Sequence, residues 1–114
     1  MKIYHNPRCR KSRETLSIIK ENNYEVIVVE YLKNPLTKKE LKHLIKLLNI
    51  SAYQLIRIEE KLFKEKYKNH NLSEQDCIEL LYKHPILLQR PIVVKDNAAV
   101  IGRPPINVLD LLNK

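Results

Sequence analysis

Cys9 closes the stretch His5-Asn6-Pro7-Arg8-Cys9, a short extended segment broken by a proline turn, and a run with helical spacing begins directly after it. A thiol at such a junction lies beside unpaired backbone N–H groups and the positive end of a helix dipole, and both favour the thiolate. Arg8, Arg10, Lys11 and Arg13 add positive charge in the neighbouring sequence. Inert structural cysteines usually lie in apolar surroundings, which these are not. Since the thiolate is the form that attacks electrophiles, the segment describes an activated nucleophile.

The spacing Cys9-Arg10-Lys11-Ser12 is that of a C-x-x-C dithiol with the second sulfur replaced by a hydroxyl. No local disulfide can form, so an oxidised or adducted Cys9 must be released by an outside thiol or by Cys77. Cys77 falls on the apolar face of an expected helix, where a packed core thiol is the simpler reading. Ser12 could donate a hydrogen bond to the thiolate or to a bound anion, and His5, four residues before Cys9, could tune the thiol or shuttle protons. Three further arginines, Arg57, Arg90 and Arg103, lie at element boundaries, the last two directly before Pro91 and Pro104. A guanidinium held beside a rigid proline can grip an oxyanion with paired hydrogen bonds. No set of His and Cys residues has the spacing of a metal site, so no metal is expected.

The chain has 114 residues, which fits one domain, spanning 1–114. It carries 21 Lys and Arg against 13 Asp and Glu, a formal charge of +8 that favours anionic partners. No helix presents a purely basic face and no nucleic-acid-binding module is recognisable, so nucleic acid is disfavoured as a partner. With a single glycine there is no glycine-rich phosphate loop. Two cysteines do not make a disulfide framework, and Met1-Lys2 leads straight into Ile3-Tyr4-His5-Asn6 without the apolar stretch of a signal peptide. No apolar run approaches membrane-spanning length, and the expectation is a cytoplasmic, monomeric protein with no membrane partner.

The elements that must position these side chains follow from periodicity. Residues 2–5 read as a strand, 10–22 as a helix, and Glu25–Tyr31 as a second strand, nearly unbroken in apolarity, as for a strand covered on both faces. Asn34-Pro35 breaks the chain. Capping signals at Thr37/Glu40, Ser51/Gln54 and Ser73 then start helices, making a helical insertion at about 36–84. Ile92-Val93-Val94 and Ala98–Ile101 read as a hairpin turning at Asp96-Asn97, and Pro104-Pro105 opens a last helix that would pack Ile106, Leu109 and Leu112 on the sheet. The order is β-α-β, helices, β-β-α, an α/β fold.

The segment Tyr4-His5-Asn6-Pro7-Arg8-Cys9-Arg10-Lys11-Ser12-Arg13-Glu14-Thr15-Leu16 resembles the active-site segment of the glutaredoxin-dependent arsenate reductases, the ArsC family. Tyr31–Thr37, Leu55-Ile56-Arg57, His84–Val94 and Ile101–Pro105 are similar to its later motifs, in the same order. The resemblance implies a thioredoxin-like fold with a four-stranded mixed sheet and a helical insertion, with Pro91 as a cis-proline beside the site. It implies Cys9 as nucleophile, His5 and Ser12 poising it, and Arg57, Arg90 and Arg103 cradling arsenate or a related oxyanion. It also implies glutathione as co-substrate, glutaredoxin as protein partner, and no bound cofactor. One departure is that Ile58-Glu59-Glu60 follow Arg57 where the family commonly carries polar or basic residues, and acidic neighbours weaken an anion site. A glutathione-dependent thiol oxidoreductase with another substrate would use the same residues. A regulator of the Spx type, binding RNA polymerase, is a third reading, against which Ser12 argues because such proteins typically sense redox state through C-x-x-C.

Overall fold

The computed structural model describes residues 1–113. They separate into two compact units, one made of residues 1–34 with 90 onward and the other of residues 35–89.

The first unit holds the sheet. Strand β1 (Lys2–His5) leads through the Asn6–Cys9 turn into helix α1 (Arg10–Glu21), and β2 (Ile27–Glu30) returns parallel to β1. After the second unit the chain forms the hairpin β3 (Ile92–Lys95) and β4 (Ala98–Ile101), with Asp96 at the turn in the left-handed region (φ 56°), as the Asp-Asn signal requires. Strand β3 runs antiparallel to β1, and the sheet order is β2-β1-β3-β4. This is the four-stranded mixed sheet of a thioredoxin-like fold. Alternate residues of β1 and β3, Ile3 and Val93, join Ile19 of α1 and Val108, Leu111 and Leu112 of helix α5 (Val108–Leu112) in a shared core. The Tyr24 hydroxyl donates to the Leu112 carbonyl (2.9 Å) and ties the end of α1 to α5.

Strand β2 is not covered on both faces: it is the sheet edge, with Ile27 64% and Val28 42% exposed. Its unbroken apolarity reflects β propensity in a short edge strand rather than burial. The last helix also presents another face. Pro105–Asn107 form a 3-10 turn, so α5 starts later and buries Val108, Leu111 and Leu112, while Ile106 is exposed and Leu109 packs at the margin of the core.

The second unit is helical but more interrupted than one insertion of continuous helices. Helix α2 (Lys38–Leu48) starts at a complete capping box, Thr37 with Glu40, and ends at Asn49 in the left-handed conformation (φ 55°). The Ser51/Gln54 signal heads only a 3-10 turn, Tyr53–Leu55, because Ile56 turns extended and bridges to Leu88. Helix α3 (Lys61–Lys66) buries Phe63 and leaves its lysines in solvent, and α4 (Glu74–Lys83) begins at a second capping box, Ser73 with Asp76. Leu41, Leu44 and Ile45 of α2 and Cys77, Ile78, Leu80 and Leu81 of α4 are buried.

The lone glycine marks a close approach of two segments in the first unit. Gly102 N–H donates to the Pro91 carbonyl (2.9 Å), and a Cβ placed on Gly102 would stand 2.5 Å from Thr15 Oγ1 and 2.8 Å from Pro91 Cγ. Thr15 is itself fixed by its bond to the Lys11 carbonyl (2.8 Å). Gly102→Ala is therefore expected to lower stability by ~1–3 kcal/mol through overpacking, read as a fall in denaturation midpoint; an unchanged midpoint would refute the close approach.

Candidate active site

Strand direction decides which residues meet. Because β1 and β2 are parallel and pair His5 with Glu30, the turn after His5 and the residues after Glu30 emerge at the same end of the sheet. Strand β3 is antiparallel to β1, pairing Ile92 with Tyr4, so its start lies at that end too; Ile92 pairs with Ile101, which brings the end of β4 there as well. Cys9, Tyr31, Arg90 and Arg103, spread over nearly the whole chain, thus gather at one edge. Arg90–Pro91 is cis, as the family resemblance implies, and so is Arg103–Pro104, which was not anticipated.

Cys9 is the N-cap residue of α1, extended (φ −92°, ψ 120°), with its carbonyl accepting the Arg13 N–H (3.0 Å) and its own N–H donating to the Asn6 carbonyl (3.0 Å). It is only 9% exposed. Burial alone pushes the thiol up, but the Ser12 backbone N–H, the Arg90 side chain, and the charges of Arg90 and Arg103 outweigh it, so Cys9 lies below the ordinary thiol range. Arg103 Nη2 is 3.9 Å from the sulfur, and its Nε donates to the Arg90 carbonyl (2.8 Å), which fixes one arginine against the other.

The cations near in sequence play a smaller part than the spacing suggests. Arg10 turns outward to Glu14 (2.8 Å), Arg13 donates to the Pro7 carbonyl (2.9 Å), and Arg8 and Lys11 are exposed. The charges that act on the sulfur come from the far ends of the chain.

His5 and Ser12 are both buried and share a hydrogen bond of 2.6 Å between Nδ1 and Oγ. Ser12 Oγ also accepts the Asn6 N–H (3.1 Å). Burial, reinforced by Arg13 and Lys20 and opposed by Glu30, holds the imidazole below its ordinary pKa, so it is neutral at neutral pH. Ser12 is fully buried, and donating its single hydroxyl proton to Nδ1 satisfies it; that accounting places the His5 proton on Nε2. The Ser12 hydroxyl thus braces the turn, while its backbone N–H favours the thiolate.

Arg57 belongs to the helical unit. Its N–H donates to the Leu87 carbonyl (2.7 Å), and its Nη1 donates to Glu60 Oε1 (3.1 Å), with Nε buried and unbonded. Of the acidic neighbours noted in the sequence, Glu60 reaches the guanidinium. Cys77, also in that unit, is 1% exposed, and burial together with Glu74 and Asp76 pushes its thiol up. Among the described residues no group of three or more His, Cys, Asp or Glu is arranged to hold a metal, and no helix is long and apolar enough to cross a membrane.

Sequence reasoning passed over Tyr31 and Asn6 as site residues. Asn6 Oδ1 accepts the Arg8 N–H (3.0 Å) and shapes the turn before Cys9. Tyr31, the residue after β2, is fully buried at the same sheet edge. Its place at the end of the β-branched run, directly before Leu32-Lys33-Asn34-Pro35, was the available signal.

The opposite shifts of the two thiols predict their reactivity. At neutral pH iodoacetamide should modify Cys9 in the native protein well before Cys77, since a lowered pKa enlarges the thiolate fraction and a raised one shrinks it. Peptide mass spectrometry after a timed quench measures this; equal or reversed labelling would contradict the poise of the site.

Comparison with known proteins places this geometry among relatives. Residues 4–111 match the ArsC family. The uncharacterized protein YfgD of Escherichia coli K12 is 47% identical over 98% of this chain and 96% of its own. The arsenate reductase of Haemophilus influenzae is 38% identical over 96% of this chain and 97% of its own. The solved arsenate reductase from Vibrio cholerae superposes with a TM-score of 0.91 at 38% identity, over 96% of this chain and 97% of that one. With an N-capping cysteine and its two arginines on a four-stranded sheet, and relatives matched over nearly their whole lengths, the chain belongs to the ArsC family.

Proposed function

We propose that this protein is an oxidoreductase that reduces arsenate with glutathione and a glutaredoxin. One observation carries the reading: a nearly buried thiol below its ordinary pKa, at the start of α1, with Arg103 3.9 Å from its sulfur and Arg90 lowering its pKa. A nucleophile and a cluster of oxyanion donors in one place are what attack on an anionic tetrahedral centre needs.

The Cys9 thiolate attacks arsenic; an S–As bond forms, an As–O bond breaks, and the oxygen leaves as water after taking up protons. Arg90 and Arg103 hold the remaining oxygens, joined in this reading by Arg57 on the strength of the family resemblance. Glutathione thiolate then attacks the Cys9 sulfur of the adduct. The electron pair of the S–As bond stays on arsenic, which falls from As(V) to As(III) and leaves as arsenite. The two sulfurs each give up one electron and remain joined as a Cys9–glutathione disulfide. A glutaredoxin thiol attacks that disulfide and frees Cys9, because Ser12 in the C-x-x-S spacing cannot supply a second sulfur. His5 and Ser12 keep the turn before Cys9 in shape, and no bound cofactor is required.

A glutathione-dependent thiol oxidoreductase with another substrate is the second reading. The Arg57–Glu60 ion pair favours it, because an arginine already holding a carboxylate binds an oxyanion less strongly.

Purified protein given arsenate, glutathione, glutaredoxin and a reducing system should form arsenite, and omission of glutaredoxin or the change Cys9→Ser should reduce that rate by at least ~10³-fold. Arsenite formed equally by Cys9→Ser would sink the mechanism. A wild-type protein that makes no arsenite but still carries glutathione on Cys9 would transfer the assignment to the second reading.

A further inference from the structure

Tyr31 is a buried polar group that the mechanism leaves unused. Its side chain is fully buried, and its hydroxyl meets no partner at full hydrogen-bonding geometry, although the Asn6 and Arg90 side chains approach it closely enough to act on it. It leaves β2 at the sheet edge where Cys9 begins α1 and Arg90 precedes β3, and the groups acting on it electrostatically are Arg90, Cys9 and Asn6. Donor accounting makes the orphan proton chemically specific. The Arg90 guanidinium and the Asn6 amide nitrogen are donors, and Asn6 Oδ1 is engaged by the Arg8 N–H. Asn6 Oδ1 keeps a second lone pair, but no acceptor, that oxygen included, meets hydrogen-bonding geometry with the phenol proton. The Cys9 sulfur, the one anion among them, does not meet hydrogen-bonding geometry with the hydroxyl. A buried O–H without an acceptor destabilises the free protein, so its position at a cationic, nucleophilic edge points to an acceptor that arrives with the substrate.

We propose that the Tyr31 hydroxyl is a further substrate-binding group, donating a hydrogen bond to an oxygen of the tetrahedral oxyanion held at Cys9 by Arg90 and Arg103. The inference rests on the oxyanion reading of the site and adds a neutral donor to its charged ones. Arginine forks neutralise charge on any compact anion, whereas a fixed phenol O–H selects an oxygen at one position. Burial, chiefly, raises the Tyr31 pKa to about 12, with Cys9 adding to the rise and Arg90 and Asn6 opposing it. The group therefore remains a donor wherever Cys9 is a thiolate near neutral pH.

Tyr31→Phe keeps the buried ring and deletes only the hydroxyl, so a structural and a ligand-binding role predict opposite results. The test compares thermal midpoint, the rate of Cys9 alkylation by iodoacetamide, and the concentration of arsenate, phosphate or sulfate that halves that rate, in the wild type and Tyr31→Phe. The expected outcome is a midpoint equal to or above wild type, an unchanged alkylation rate without anion, and a half-protecting concentration raised by ~10-fold or more. Unchanged protection would overturn the proposal, and so would a lowered midpoint, which would make the hydroxyl structural. If phosphate or sulfate protects the wild type and arsenate does not, the arsenate reading fails alone, and the variant is judged with the protecting anion. Protection of the wild type by none of the three overturns both.

Discussion

A thiol that is 9% exposed and yet ionises below its ordinary range is the constraint on which the first unit depends. Taking negative charge out of water is costly, and burial by itself would leave Cys9 protonated and inert at neutral pH. The compensation is assembled from three places: the amide of Ser12 in the first turn of α1, Arg90 at the start of β3, and Arg103 after β4. The arginines are not interchangeable surface charges, because Arg103 is pinned by the Arg90 carbonyl and follows Gly102, where a Cβ would collide with Thr15 of α1 and with Pro91. Precision at the sulfur therefore rests on ordinary packing: Gly102 lets the chain approach Thr15, and that approach sets where Arg103 starts.

The sheet order supplies the rest. With β1 central, parallel to β2 and antiparallel to β3, every connection that opens at one edge brings a distant segment to the same place. Cys9 lies only 4 residues after His5 but acts with Arg90 and Arg103, and the arginines beside it in sequence face solvent or the backbone. His5 and Ser12 show how the turn resists distortion under that field: one 2.6 Å bond and one amide contact leave neither buried group unsatisfied.

Much of this was legible in the sequence because it rests on short-range rules. The capping boxes at Thr37 and Ser73, the Asp96-Asn97 hairpin, the α1 boundary at Cys9 and the C-x-x-S spacing each announce themselves within a few residues. Arg90 and Arg103 could be flagged from their prolines, and Glu60, one of the acidic residues after Arg57, does engage it. What stayed hidden depends on tertiary context. Apolar β2 reads alike whether its strand is central or at the edge, and only the sheet order settles that Ile27 is exposed. The last helix shifts its buried face because a 3-10 turn takes the place of its expected first turn. Tyr31 looked like one more aromatic residue at the end of a strand, since neither propensity nor spacing records that its hydroxyl will be buried where Arg90 and Cys9 act on it.

The central feature of the site is that charges from the ends of β3 and β4 hold the pKa of a nearly buried Cys9 below its ordinary range. Its most direct test is an ultraviolet titration of the Cys9 thiolate in Cys77→Ser protein, with and without the paired changes Arg90→Ala and Arg103→Ala. The account predicts that the paired variant, still folded, titrates at higher pH than its parent, because burial is then opposed by the Ser12 amide without the two guanidinium groups. A midpoint unmoved by loss of both guanidinium groups would show that the arginines do not set the state of the sulfur, and would contradict the account.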